Sequence, residues 1–204
     1  MGLMDDMNKA QSAARSAESA ARKRADAQRE TASRVWEDFL TCCRDFAELA
    51  PRHGIPPKSG REVASRGNDR SRQGRGKQEH RIQHPGGWVM NQHPGATPMF
   101  YITVEGALFV EVGGGQKTAL LTARKIVTYG FKPCPDPQTT AQGTLSLPWM
   151  FSFTDSAPRE YPGNTRAAAM GDLEKLGGCL LLNTPYEYSY AKGFILDTLM
   201  RARG

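Results

Sequence analysis

Proline is absent from Met1 to Ala50, and Gly2 is the only glycine before Gly54. No other feature constrains the fold as tightly. Acid-before-base pairs stand at helical spacing at Asp5/Lys9, Glu18/Arg22 and Glu30/Arg34, each stabilising a helix by roughly 0.2–0.5 kcal/mol. The pattern predicts one helix over residues 4–50, ended by Pro51 and the His53-Gly54-Ile55-Pro56-Pro57 run. At ~1.5 Å per residue that helix is about 70 Å long. A compact chain of 204 residues has a radius of gyration of about 17 Å. The helix therefore breaks, projects from the rest, or pairs with a second copy.

Its two halves differ. From Ala10 to Ser33 alanine is the only apolar residue, and Leu3, Met7, Ala10, Ala14, Ala17 and Ala21 form a narrow 3-4 seam. From Val35 onward the stripe gains bulk through Val35, Trp36, Phe39, Leu40, Cys43, Phe46, Ala47 and Ala50, which is a full amphipathic face. Val35, Trp36, Phe39, Leu40 and Phe46 are the candidate interface for self-association, by coiled-coil pairing, or for a protein partner. The alanine half carries too little apolar bulk for a membrane-lying helix.

Charge divides the chain again. Residues 1–51 hold eight Lys/Arg against nine Asp/Glu, residues 52–81 nine against three, and residues 82–204 ten against nine. The whole excess of the +6 net charge thus sits in one basic stretch. Residues 52–82 are rich in Arg, Gly and Ser with almost no core-forming side chain, and read as a disordered linker. Arg61, Arg66, Arg70, Arg72, Arg75, Lys77 and Arg81 are the candidate contacts to nucleic acid or another polyanion. The stretch contains no aromatic side chain, so it offers no stacking platform for single-stranded bases. It is suited to backbone phosphates, with salt-sensitive affinity and no base readout.

From about Gly86 the pattern turns to β. Residues 100–112 alternate, with Phe100, Ile102, Val104, Leu108, Val110 and Val112 on one face and a two-residue hairpin turn at Glu105-Gly106. Gly113-Gly114-Gly115 reads as the next turn, Thr122–Phe131 as a strand, and residues 144–154 as an edge strand marked by Pro148. A short helix over Arg166–Leu176, a strand over Cys179–Leu182 and a helix over Tyr186–Arg203 complete the chain. The fold class is α+β: a long N-terminal helix, a basic linker, then a curved, mostly antiparallel sheet of about five strands with a C-terminal helix. The corresponding segments are 1–51, 52–82 and 83–204.

Familiar chemical motifs fail on spacing. Gly113-Gly-Gly-Gln-Lys117-Thr118 lacks the glycine directly before the lysine that a phosphate loop needs, and it leads into a strand. Gln83-His-Pro-Gly86 recurs as Gln92-His-Pro-Gly95. His84 and His93 are the candidates for a metal or catalytic site, although His-Pro-Gly is also ordinary turn chemistry. No cofactor is implied. Cys42, Cys43, Cys134 and Cys179 form no disulfide framework, which suits a reducing compartment. With no apolar leader and no membrane-length apolar run, the chain reads as cytoplasmic. These features suggest a non-enzymatic binding or adaptor protein. The alternatives are a small enzyme or metal domain around His84 and His93, and a subunit of a larger protein assembly.

Overall fold

The structure, a computed structural model, describes residues 2–68, 77–90, 99–119, 124–141, 144–156, 164–183 and 188–202. The N-terminal helix α1 is unbroken over Leu3–Arg52. Asp5 accepts the Gly2 N–H at its start. Pro51 is tolerated in the last turn, and the end is a Schellman cap. Gly54 adopts φ 74°, its N–H meets Pro51 O, and the Ile55 N–H reaches back to Ala50 O.

Residues 2–24 are exposed throughout, so the alanine half projects. The other half is the wall of the main core. Val35, Trp36, Phe39, Cys43, Phe46 and Ala50 pack on Trp88, Met90, Phe100, Ile102, Leu108 and Val110 of the sheet. Phe39 lies 5.9 Å from Phe100 and 5.4 Å from Phe151 between ring centroids. Trp36 meets Phe151 edge-on at 5.3 Å, and Phe46 meets Trp88 edge-on at 5.4 Å. The stripe assigned to a partner is therefore occupied by the chain's own core, with Leu40 partly buried beside it.

The main sheet has five strands: β1 (Lys58–Asn68), β2 (Lys77–Met90), β3 (Phe100–Thr103), β4 (Leu108–Ala119) and β5 (Arg124–Pro133). Neighbours in the order β1-β2-β3-β4-β5 pair antiparallel, and β5 returns to pair parallel with β2 at Lys77–Ile82. Strands β2, β3, β4 and β5 thus close a small ring. Alternation along the strands sends Trp88, Met90, Phe100 and Ile102 to the helix. It sends Ile82, Val89, Tyr101 and Tyr129 to a second cluster, with Phe109, Val127 and Phe131 packed against it. Gly86 and Gly87 make the corner of β2. Gly87 has φ 153°, and a Cβ there would lie 2.1 Å from Ile102 O.

Strand pairing extends further than the sequence suggests. Lys58–Asn68 and Lys77–Met90, much of the expected linker, are strands joined to each other from Lys58↔Gly87 to Asn68↔Lys77. Polar residues serve because β1, which among the described strands pairs with β2 alone, is an edge whose backbone bonds need no buried side chains. Residues 69–76, the centre of the expected linker, lie outside the described residues. Gly113–Gly115 fall inside β4, at a register shift between Val112 and Gly115 rather than a turn. The β3–β4 turn has three residues, Val104–Gly106, between a paired Thr103 and Ala107, with Gly106 at φ 80°.

The rest forms a second layer. The expected edge strand over 144–154 splits at a Pro148–Phe151 turn. The pieces are β7 (Leu145–Ser146), paired with β6 (Gln138–Thr139), and β8 (Phe151–Thr154). Helix α2 (Asn164–Leu176) leads to β9 (Cys179–Asn183), β10 (Tyr188–Tyr190) and α3 (Ala191–Arg201), with strand order β10-β9-β8. The expected last helix thus begins as a strand, because Tyr190 is fully buried beside Leu181 and Cys179. Lys192 Nζ ties the helices together, 2.8 Å from Asp38 on α1 and 3.4 Å from Asp172 on α2.

The hairpin tip shows how closely this packing is set. A Cβ on Gly106 would approach the Arg44 Cα to 2.7 Å, in a backbone conformation unfavourable to side chains. Gly106→Ala is expected to lower unfolding free energy by about 1–3 kcal/mol, and Phe39→Ala by about 3–5 kcal/mol, as read from urea midpoints. An unchanged midpoint for both would contradict this arrangement of α1 on the sheet.

Candidate polyanion interface

Four of the seven basic candidates stand on one antiparallel ribbon. Arg61 and Arg66 stand on β1; Lys77 opens β2 and Arg81 follows it. Register places Arg61 opposite Gln83, Arg66 opposite Glu79, and Asn68 opposite Lys77. Arg70, Arg72 and Arg75 lie outside the described residues, in the stretch that joins the two strands. Arg61 is exposed and enters no ion pair among the described residues. Arg81 is committed instead, with Nε 2.6 Å from Glu79 Oε1.

Glu62 fastens the base of the ribbon. Its carboxylate lies 2.8 Å from Lys58 Nζ and 3.0 Å from His84 Nε2. Partial burial pushes the carboxyl up, but the bonds from Lys58 and His84 outweigh it and hold it below its ordinary value. The His84 side chain is only 1% exposed, its ring 6.1 Å from Tyr101 inside the strand ring. Farther along β2, His80 stacks on Tyr129, with Nδ1 2.9 Å from the phenolic oxygen. The ring also encloses Glu111, which accepts the Met99 N–H at 3.1 Å. Burial pushes its carboxyl up despite that bond. Neither Glu62 nor Glu111 stood out in the sequence; only strand register reveals that they face inward partners.

His84 is engaged with Glu62, and His93 lies outside the described residues. Among the described residues no group of three His, Cys, Asp or Glu side chains is placed to hold a metal ion. Nucleophilic chemistry at the thiols is disfavoured by their surroundings. Burial pushes Cys42 up to about 11 and Cys134 up to about 12, and pushes Cys43 up further. Also among the described residues, no helix is long and apolar enough to cross a membrane.

No family model, curated protein or solved structure matches this chain.

The Glu62 clasp has a pH signature. A carboxyl whose folded pKa lies below its unfolded value stabilises the fold above that unfolded value and loses the contribution as pH falls through the folded one. Glu62→Gln should therefore be less stable than the parent at neutral pH. The gap should close as pH drops below about 4.5. Denaturant midpoints measured across that range test this; a gap that persists at low pH would mean that the Glu62 charge does not hold the ribbon.

Proposed function

We propose that this protein is a non-enzymatic binding or adaptor protein. Its basic ribbon contacts the phosphate backbone of nucleic acid, and its projecting helix mediates association. The observation that carries the reading is the β1–β2 pairing. It turns what the sequence offers as loose cations into a two-stranded element with Arg61, Arg66, Lys77 and Arg81 on its arms. The arms converge on the stretch that holds Arg70, Arg72 and Arg75. Such an element can set several cations at phosphate spacing without reading bases.

Because β1 and the first half of β2 are structural, removing residues 58–82 would damage the fold and test nothing. Charge substitution is the cleaner experiment. Arg70, Arg72 and Arg75 replaced together by Gln should weaken binding to a fluorescent duplex equally across unrelated sequences. The slope of log affinity against log salt should become shallower by about 1 for each lost phosphate contact. Binding that ignores both salt and these substitutions would dismiss the phosphate reading.

A further inference from the structure

We propose that the outward face of β1, β2, β5 and β4 is one phosphate-binding surface for both backbones of a nucleic-acid duplex, and that Lys117 and Arg124 belong to it. The inference rests on the phosphate contact proposed above and names its footprint and its ligand class. From Lys77 to Ile82, β2 pairs with β1 on one side and with β5 on the other. Strand β4 continues the pairing beyond β5, from Gly115 to Ala119. The ribbon is therefore the edge of a four-stranded patch in the order β1-β2-β5-β4.

Register sorts the charges of this patch. Residues paired across neighbouring strands share a face, and the face alternates from one row to the next. One row holds Lys77 and Arg124 as direct partners. Two residues along, Arg66 pairs with Glu79, Glu79 with Ile126, and Ile126 with Lys117. Two further along β2, Arg81 pairs with Val63. These three rows share one face, and they bring together five cations and one carboxylate. Glu79, the carboxylate, binds Arg81. The rows between them hold Val127, Ile82 and Tyr129, which belong to the cluster inside the strand ring. The charged face is thus the outward one, and Val63 on it is 42% exposed. Lys117 and Arg124 lie far in sequence from the basic stretch, and only the β2–β5 and β5–β4 pairings bring them to it.

The breadth of the patch selects the ligand. Strands lie ~4.8 Å apart, so Arg66 on β1 and Lys117 on β4, three strand spacings apart, are separated by about 14 Å. Along β2, the rows of Lys77 and Arg81 are about 13 Å apart. A single strand presents one row of phosphates, and a line of cations would serve it. A duplex presents two rows, on either side of a groove ~12 Å wide in the B-form major groove. Cations spread over both directions of a sheet face can meet both rows at once. None of the residues in the three rows is aromatic, so the face has no platform for unpaired bases.

The test uses the full chain with fluorescent DNA and RNA duplexes and a single strand of equal length. A duplex should bind more tightly than the single strand, and the tighter of the two duplexes names the source. Lys117→Gln with Arg124→Gln should weaken duplex binding alike across unrelated sequences. The slope of log affinity against log salt should become shallower by about 2, with the thermal melt unchanged. Lys117→Arg with Arg124→Lys should restore both affinity and slope. Lys125→Gln, next in sequence to Arg124 but in a row of the opposite face, should leave the slope as it was. A loss there as large as at Arg124 overturns the face, and a single strand bound as tightly as the duplexes overturns the footprint. An unchanged slope in the Lys117 and Arg124 variant, when Arg70, Arg72 and Arg75 replaced by Gln lose affinity, overturns this inference and leaves the phosphate reading standing. No salt-dependent binding by the parent chain overturns both.

Discussion

The burial of one helical stripe on one sheet face is the interaction on which the rest depends. Phe39 and Phe46 are almost inaccessible, and each lies among aromatic rings from other elements. Burying a side chain of this size stabilises by roughly 1.5–3 kcal/mol, whereas an exposed charge pair along the same helix gives only a few tenths. The docked half therefore fixes the axis, and the projecting half inherits its conformation. Once a helix is nucleated, each further residue costs little to add. This accounts for a helix that continues to Leu3 although residues 2–24 are exposed.

The same sheet must serve two cores, and β2 is where it changes allegiance. Trp88 and Met90 face the helix, while Ile82 and Val89 face the interior of the strand ring. A strand can pair with β3 at one end and β5 at the other only by bending between them. Pro85-Gly86-Gly87 supplies the bend, at a point where the β3 backbone leaves no room for a Cβ. The His-Pro-Gly sequence that resembles an isolated turn is thus a corner within a strand. His84 points inward because it sits at that corner, and Glu62 gives the buried ring a charged partner.

This explains what the sequence could reveal. The long helix was legible because nothing in it opposes helix formation, and the 100–112 strands because Phe100, Ile102, Leu108 and Val110 are buried on one face. The α+β class and a mostly antiparallel sheet of about five strands are as expected, but β1 and β2 supply two of the five, and the strands expected over 144–154 and 179–182 lie outside that sheet. The β1 strand was not legible, since an edge strand with Arg61 and Val63 exposed has no burial to enforce alternation. Nor was the place of Gly113–Gly115 in β4, because a bulge and a turn draw on the same residue. Of the candidate site, the clustering of cations was visible. Which of them are already neutralised was not, because Glu62 and Glu79 reach Lys58 and Arg81 along their own strands only where those strands form.

That neutralisation has a direction along the ribbon. Glu62 binds Lys58 and His84 near the base, and Glu79, two residues from the Lys77 end, binds Arg81. Both acids of β1 and β2 are thereby engaged within the paired region. Beyond Asn68 and before Lys77 the sequence offers Arg70, Arg72 and Arg75 against Asp69 alone. The paired strands therefore carry their own counter-charges, whereas the sequence between them is mostly basic. An ion pair at the base strengthens the attachment of the ribbon and subtracts little from its distal field, because charges farther apart than about 8–10 Å are largely screened at physiological salt. Anchoring thus draws on carboxylates within the paired strands, and the proposed phosphate contact draws on the arginines of the sequence that joins them.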